Sequence, residues 1–159
     1  AVVLGGFSKT FASPGLRLGW IATKNPALMA KLLAYRHFTS TCTNLPCQWI
    51  ASKLLDKKSE IIMRNNEIIR KNSALLNELV SKHPDIFAYV PPKGATMAYV
   101  RLLGNRKAMD FCMEILYNTG VLIVPSSVLE ESDSYLRIGL CRESFPECVR
   151  LVDAYLNRK

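Results

Sequence analysis

A long apolar stripe constrains the fold of this chain more than any other sequence feature. The stripe consists of two series of residues at seven-residue spacing: Ile61, Ile68 and Leu75, and Ile62, Ile69 and Leu76. This spacing places the side chains on one face of an α-helix. Because proline cannot continue a helix, Pro84 limits the helix to residues 59–82. Two heptads are too few for a sustained coiled coil, so we expect the stripe to pack on its own domain.

The residues before this helix predict two strands and two shorter helices. The apolar residues 1–4 indicate a buried strand that ends at a glycine pair, and residues 16–23 indicate a second strand. Asn25 precedes a proline, and Asn44 lies two residues before another. A capping side chain followed by proline in the first turn is typical of a helix start.

The residues after the long helix predict a unit with the order β-β-α-β-β-α. Strands are expected over residues 86–90, 95–101, 121–124 and 135–140. Asn105 is expected to cap the first helix of this unit, which ends at Gly120. Ser144 and Glu147 have the spacing of a capping box, so a last helix is expected to begin there.

Composition indicates a soluble globular protein and disfavours several functions. The chain has 159 residues, of which 49% are apolar, and no run approaches the roughly 20 apolar residues of a membrane span. The net charge of +8 comes from scattered basic residues with acidic residues between them, so nucleic acid binding is not favoured. The five cysteines show no CxxC spacing, and the two histidines lie far apart. We therefore expect no metal site, and reduced cysteines in a cytoplasmic protein.

The segment GGFSKTFASPGLRLGW, residues 5–20, contains the residues that indicate chemistry. Lys9 and Arg17 lie eight residues apart among glycines, hydroxyls and a proline. A phosphate-binding P-loop needs glycine directly before the lysine, where this chain has Ser8. A lysine amine that forms a Schiff base, beside a guanidinium that binds phosphate, would fit pyridoxal 5′-phosphate (PLP). On spacing alone, a solvated lysine and a surface arginine remain the alternative.

The same segment resembles the lysine motif of the class I/II aminotransferases, which are fold-type I PLP enzymes. In that family an arginine follows the lysine by eight positions and is followed by a small or aliphatic residue and glycine, as in Arg17–Leu18–Gly19. The resemblance implies that Lys9 is catalytic and binds the cofactor covalently. It also implies that Arg17 binds the cofactor phosphate and that Ser8 lies in the cofactor site.

Two positions of the motif depart from the family pattern. Gly6 stands where the family often has a serine that contacts the phosphate, and Ser13 stands where an apolar residue is usual. Neither departure removes a required chemical group. A lower affinity for the cofactor is the expected consequence.

The resemblance continues through the second half of the chain. The segments KGATMAYVRL and GVLIVPSS are similar to two strand regions of the family, and YLRIGL resembles the strand whose arginine binds the substrate α-carboxylate. That position is Arg137 here. The segment TSTCTNLP resembles the part of the family that reaches the site of a neighbouring subunit. Dicarboxylate-specific members have an arginine near it, and Arg36 and His37 are the nearby basic residues here, so acidic substrates are not indicated.

The resemblance implies an α/β fold that covers the second half of the family's chain, so we expect a piece of a longer protein. Residues 1–58 would be the C-terminal part of the large PLP-binding domain. Residues 59–82 would form the long connecting helix, and residues 83–159 the small α+β C-terminal domain. The missing half would hold the other cofactor contacts, so this piece alone is expected to bind PLP weakly and to be inactive.

The implied function is transfer of an amino group between an amino acid and a 2-oxo acid by a cytoplasmic homodimer, without nucleic acid or membrane partners. Two alternatives stay open. One is a PLP-dependent lyase or decarboxylase of the same fold. The other is an aminotransferase-like domain that senses a ligand in a transcriptional regulator.

Overall fold

The computed structural model describes residues 1–158; Lys159, the last residue of the predicted small domain, lies outside the described residues. The strands are Val2–Gly6 (β1), Gly19–Thr23 (β2), Phe87–Tyr89 (β3), Met97–Leu102 (β4), Val124–Pro125 (β5) and Tyr135–Gly139 (β6). The α-helices are Pro26–Thr39 (α1), Leu45–Asp56 (α2), Lys58–Lys82 (α3), Ala108–Thr119 (α4) and Phe145–Leu156 (α5). The chain divides into two compact units, residues 1–65 and the residues from 66 onward. None of the helices in the described residues is both long and apolar enough to cross a membrane.

The first unit contains an antiparallel hairpin, β1–β2, and the helices α1 and α2. The hairpin register runs from Val2↔Thr23 to Gly6↔Gly19. Strand β1 was expected to be buried. This expectation is wrong within this chain, because Val2, Val3 and Leu4 are all exposed. The reason is that the buried cluster of this unit lies under the loop that follows β1, and β1 pairs here with a single strand.

Both predicted helix starts in the first unit are confirmed. The Asn25 side-chain oxygen accepts a hydrogen bond from the Leu28 backbone N–H at 3.1 Å, and Asn44 caps α2 in the same way through the Cys47 N–H at 3.1 Å. Each cap satisfies one of the backbone donors that a helix leaves unpaired in its first turn. These two helices therefore begin where the sequence places them.

The second unit contains a four-stranded sheet in the order β3-β4-β6-β5, with every neighbouring pair antiparallel. Along β4, Ala98, Val100 and Leu102 are buried, and the residues between them face away from the core. The core of this unit also includes side chains of α3, α4 and α5. The predicted stripe of α3 is confirmed, since all six of its residues are at least partly buried.

Three local predictions for the second unit are wrong. Helix α4 begins at Ala108, so Asn105 does not cap it, and the Asp133 carboxylate accepts from the Met109 N–H at 2.9 Å instead. Helix α5 begins directly after Ser144, as expected, but the Ser144 side chain makes no capping bond, because its backbone is in the helical region rather than in the extended conformation usual for a capping residue.

The strand expected over residues 121–124 is reduced to Val124–Pro125. The Val121 N–H donates to the Thr119 hydroxyl at 3.2 Å, so this donor is used locally rather than in the sheet. Local side-chain acceptors of this kind compete with strand pairing.

Candidate active site

The loop that contains Lys9 and Arg17 connects the two strands of the hairpin. Gly6 and Gly19 are register partners at its base, and the Phe7 N–H donates to the Leu18 carbonyl at 3.1 Å. Lys9 follows the end of β1 by three residues, and Arg17 precedes the start of β2 by two. The structure therefore places Ser8, Lys9 and Arg17 on one loop with a closed base.

Two buried phenylalanines anchor this loop on either side of Lys9. Phe7 is 4% exposed and Phe11 is 7% exposed, and their ring centroids lie 4.9 Å apart. The Trp20 indole packs in a T-shaped arrangement with the Phe7 ring, with 5.4 Å between centroids. Lys9 itself is exposed, so its amine extends from a short segment whose two ends are held in a core. Sequence reasoning missed this role, although two phenylalanines four residues apart around the lysine are visible in the sequence.

Backbone hydrogen bonds fix the turn directly after Lys9. The Lys9 carbonyl accepts from the Ala12 N–H at 3.0 Å, and the Phe7 carbonyl accepts from the Ser13 N–H at 3.0 Å. Ser13 also donates its hydroxyl to the Phe11 carbonyl at 2.9 Å. The departure from the family pattern at Ser13 thus has a structural explanation, because the hydroxyl stabilises the turn.

Helix α3 contributes two further contacts to this loop within the first unit. The Asn65 side-chain amide donates to the Thr10 carbonyl at 3.0 Å, and Ile61 packs against the buried phenylalanine cluster. Thr10 is the residue after Lys9. The backbone beside the lysine is therefore held by a polar contact as well as by an apolar one.

Packing leaves little room for side chains at the glycines at the base of the loop. A Cβ on Gly5 would lie 2.4 Å from the Trp20 indole, and a Cβ on Gly19 would lie 2.8 Å from the Gly5 carbonyl oxygen. At Gly6, where the family often has serine, a Cβ would lie 3.3 Å from the Leu18 carbonyl oxygen. At Gly5 the space that a side chain would need is therefore taken by Trp20.

Arg17 adopts a left-handed backbone conformation, with φ of 50°, at the end of the short 3₁₀-helix Pro14–Leu16. Its guanidinium Nη1 donates to the Pro14 carbonyl at 2.9 Å. A non-glycine residue in this region of φ and ψ costs on the order of 1 kcal/mol, and the surrounding structure has to hold it there. The guanidinium is thus directed back over its own loop.

Arg137 lies in the second unit, on the strand β6. Tyr99 of β4 is its register partner on one side, and Val124 of β5 on the other. The side chains of the strand alternate between its two faces, and Leu136, the residue before Arg137, is 1% exposed and lies in the core. Arg137 is therefore on the face of the sheet that turns away from the core, where the rings of Tyr99 and Tyr135 pack 6.5 Å apart. Sequence reasoning did not identify this tyrosine pair.

The titratable groups with shifted pKa values lie outside this loop. Burial raises the pKa of the Cys112 thiol to about 12, so it is inert as a nucleophile. The pKa of the Asp153 carboxyl is lowered because His83 and then Lys82 donate hydrogen bonds to it, at 2.8 and 2.9 Å. Within residues 1–158, no three His, Cys, Asp or Glu side chains are placed to hold a metal ion.

Comparison with known proteins agrees with the resemblance seen in the sequence. The profile of the family described as aminotransferase class I and II matches residues 1–154. The chain belongs to this family. This aminotransferase-family chain is 27% identical to an aspartate aminotransferase of Pyrococcus abyssi over 164 residues, covering 99% of the chain and 41% of that protein. It is 25% identical to a capreomycidine synthase of Streptomyces vinaceus, covering 85% of the chain and 34% of that protein.

Solved structures of similar proteins confirm the fold of this aminotransferase-family chain. A PLP-dependent aminotransferase from Streptococcus suis matches 99% of the chain with a TM-score of 0.88 and 29% identity, and 42% of that protein is covered. The PLP-dependent cyclase OrfR matches with a TM-score of 0.85 at 24% identity, covering 99% of the chain and 43% of that protein. The fold is that of part of a fold-type I PLP-dependent aminotransferase, as expected. The chain spans 34–43% of the length of these relatives.

Proposed function

We propose that the protein that contains this chain is a PLP-dependent aminotransferase that moves an amino group between an amino acid and a 2-oxo acid. The observation that carries the proposal is the placement of Lys9 and Arg17 on one loop with a closed base, in a chain of the aminotransferase family. The intact protein is proposed to be a cytoplasmic homodimer. Light scattering of the purified full-length protein would test the dimer.

The side chains of the loop fit PLP by their chemistry. Lys9 supplies a primary amine that can bind an aldehyde carbon, and Arg17 supplies a planar guanidinium suited to a phosphate. Ser8 adds a hydroxyl on the residue before the lysine. In this proposal Lys9 holds the aldehyde carbon, and Arg17 and Ser8 contribute to holding the phosphate. Phe7 and Phe11 keep the loop in place, which lowers the cost of ordering it when the cofactor binds.

Arg137 is proposed to bind the α-carboxylate of the amino acid. A guanidinium can donate two parallel hydrogen bonds to a carboxylate, which fixes the orientation of the substrate as well as its position. Strand β6 lies inside the four-stranded sheet, with a partner strand on each side, so the backbone of Arg137 is well supported. A rigid support is what a residue that orients a substrate requires.

Lys9 is also proposed to move the proton. Once the substrate amine has displaced it from the aldehyde carbon, its free Nζ would accept the proton from the substrate Cα and later donate it, acting first as a general base and then as a general acid. When bound, PLP supplies the electron sink that makes the Cα proton acidic. By holding the carboxylate, Arg137 would fix the orientation of the Cα–H bond of the substrate.

Replacing the lysine tests this proposal in the full-length protein. Lys9→Ala is expected to abolish both the visible absorption band of the bound cofactor and turnover, because the variant has no amine to bind the aldehyde. Lys24→Ala is the matched control, since Lys24 is an exposed lysine just after the same hairpin. Full activity of Lys9→Ala would contradict the assignment.

A second candidate is a different PLP reaction on the same site. The observation that favours it is that two similar proteins are described as a capreomycidine synthase and a PLP-dependent cyclase. Mass spectrometry of the products separates the two candidates. An aminotransferase forms a 2-oxo acid from the amino donor and aminates a second oxo acid, whereas a cyclase retains the substrate nitrogen in the product.

A further inference from the structure

Asn72 is a buried polar residue in the middle of α3. It is 3% exposed, and its side-chain amide nitrogen donates hydrogen bonds to the Leu140 carbonyl at 2.9 Å and to the Arg142 carbonyl at 2.8 Å. A primary amide nitrogen has two hydrogens, so both are used. A buried polar group that is fully paired in this way fixes the groups it contacts.

The two carbonyl groups belong to the segment that directly follows β6. This strand ends at Gly139, so the segment starts with the first residue past the strand. Leu140 is completely buried, and its own N–H donates to the Thr96 carbonyl at 2.8 Å. The end of β6 is therefore held by the residue before β4 and, independently, by Asn72.

Arg137 lies on the same strand, three residues before Leu140. At about 3.3 Å per residue, the two Cα atoms are roughly 10 Å apart along the strand. A slip of one residue would turn every side chain of the strand to the opposite face, so Arg137 would point into the core. Contacts that fix the end of β6 along its axis thus also fix where the guanidinium lies.

We propose that Asn72 is a positioning residue for Arg137. Its two hydrogen bonds hold β6 in register, so that the guanidinium meets the substrate carboxylate at a constant position. This inference rests on the proposed function, in which Arg137 binds that carboxylate. Misplacement of a binding group by 1 Å can cost about 100-fold, and the contact here acts from three residues away, so we expect a loss of about tenfold.

The first experiment compares an amino acid with the corresponding amine that lacks the carboxylate. Both are titrated into the PLP-loaded full-length protein while the visible absorption band is followed. Asn72→Leu is expected to weaken amino acid binding about tenfold and to leave amine binding unchanged, because the amine does not use Arg137. Asn72→Ser, which retains one donor, is expected to give an intermediate loss. Asn66→Leu is the control, since Asn66 is exposed on the same helix.

Equal weakening of the amino acid and the amine in Asn72→Leu would overturn the inference, as would no weakening of either. If Asn72→Leu does not fold, Asn72→Ser decides between the same outcomes. A wild-type protein that shows no absorption band with PLP would contradict the proposed function itself. If instead the wild-type protein binds PLP and its Asn72 variants bind both ligands normally, the result contradicts the inference about Asn72 but not the proposed function.

The second experiment measures, without cofactor or substrate, how strongly the hydrogen bonds of Asn72 stabilise the end of β6. Amide hydrogen exchange of residues 135–142 is followed in the full-length apoprotein. Faster exchange is expected in Asn72→Leu than in wild type and Asn66→Leu, because the end of the strand loses two of its restraints. Unchanged exchange in a folded Asn72→Leu protein would overturn the inference.

Discussion

The two units of this chain hold their proposed functional residues in different ways. In the first unit, Lys9 and Arg17 are exposed on a loop that is anchored by a small cluster around Phe7 and Phe11. In the second, Arg137 is on a strand with a partner on each side, and the sheet packs on a large core shared with three helices. A reactive amine requires an accessible loop, whereas a residue that orients a carboxylate benefits from a rigid strand.

The strands of the two units show the same contrast. Every second residue of β4 is buried, as expected for a strand with one face on a core. In β1 the apolar residues Val2, Val3 and Leu4 are exposed, with Leu4 at 80%. Substitutions should therefore have their largest effects where burial is complete, and the four predictions below follow that order.

The largest effect is expected in the core of the second unit. Phe111 is completely buried, so Phe111→Ala should lower the free energy of unfolding by about 3–5 kcal/mol through lost burial and the cavity left behind. Val3→Ala in the first unit should change it by less than about 0.5 kcal/mol, since Val3 is exposed. Chemical denaturation checks both. Similar losses of unfolding free energy in the two variants would contradict the proposed difference in burial between the two units.

A smaller and more local effect is expected from the loop anchor. Phe7→Ala should cost about 3 kcal/mol, near the lower end for buried phenylalanine, because its cluster is small. It should also weaken PLP binding, since the lysine loop loses its support. Phe38→Ala is the matched control, because Phe38 is 91% exposed. Isothermal titration with PLP and thermal unfolding are the measurements, and normal PLP affinity in a folded Phe7→Ala protein would contradict this role of the anchor.

The close packing at the base of the hairpin predicts a third difference. Gly5→Ala should destabilise the protein by about 1–3 kcal/mol, because the new methyl group meets the Trp20 indole. The indole has to move, so tryptophan fluorescence should change as well. A Cβ on Gly15 has no atom within 4 Å, so Gly15→Ala is expected to be neutral or slightly stabilising. Equal behaviour of the two variants would argue against this packing.

The smallest effect concerns the pH dependence of the second unit. Because the folded-state pKa of the Asp153 carboxyl lies below its usual 3.8, its contribution to stability is present above that pH and is lost as the pH falls through the lower folded value. Asp153→Asn should therefore make the loss of stability in acid less steep. Asp85→Asn is the control for the loss of one negative charge, since Asp85 is exposed. Denaturation measured from pH 2 to pH 6 compares them, and identical acid limbs for wild type and Asp153→Asn would contradict the prediction.

The sequence predicted the elements whose signals are local. The helical stripe, the asparagine caps of α1 and α2, and the family motif around Lys9 all depend on residues close together in the chain. The failed cap at Asn105 has a nonlocal cause, because the donor at the start of α4 is satisfied by Asp133, a residue 24 positions from Met109. Contacts over such sequence distances leave no periodic pattern.

The candidate site shows the same limit. Lys9, Ser8, Arg17 and Arg137 were identified from motifs, and their roles stay predictions. The residues that support them were missed. These are Phe7 and Phe11, which anchor the lysine loop, and Asn72, which donates hydrogen bonds to the segment after β6. Asn72 was missed because it lies near the apolar stripe of α3. A polar residue there is interpreted as solvent-exposed until its hydrogen-bond partners, 68 and 70 residues away, are known.

Covalent trapping of the cofactor tests directly whether Lys9 is the residue that binds it. The full-length protein is incubated with PLP, reduced with borohydride so that any imine becomes a stable secondary amine, and digested for peptide mass spectrometry. We expect the added cofactor mass on Lys9 and none on Lys24. Cofactor on another lysine, with Lys9 unmodified, would contradict it.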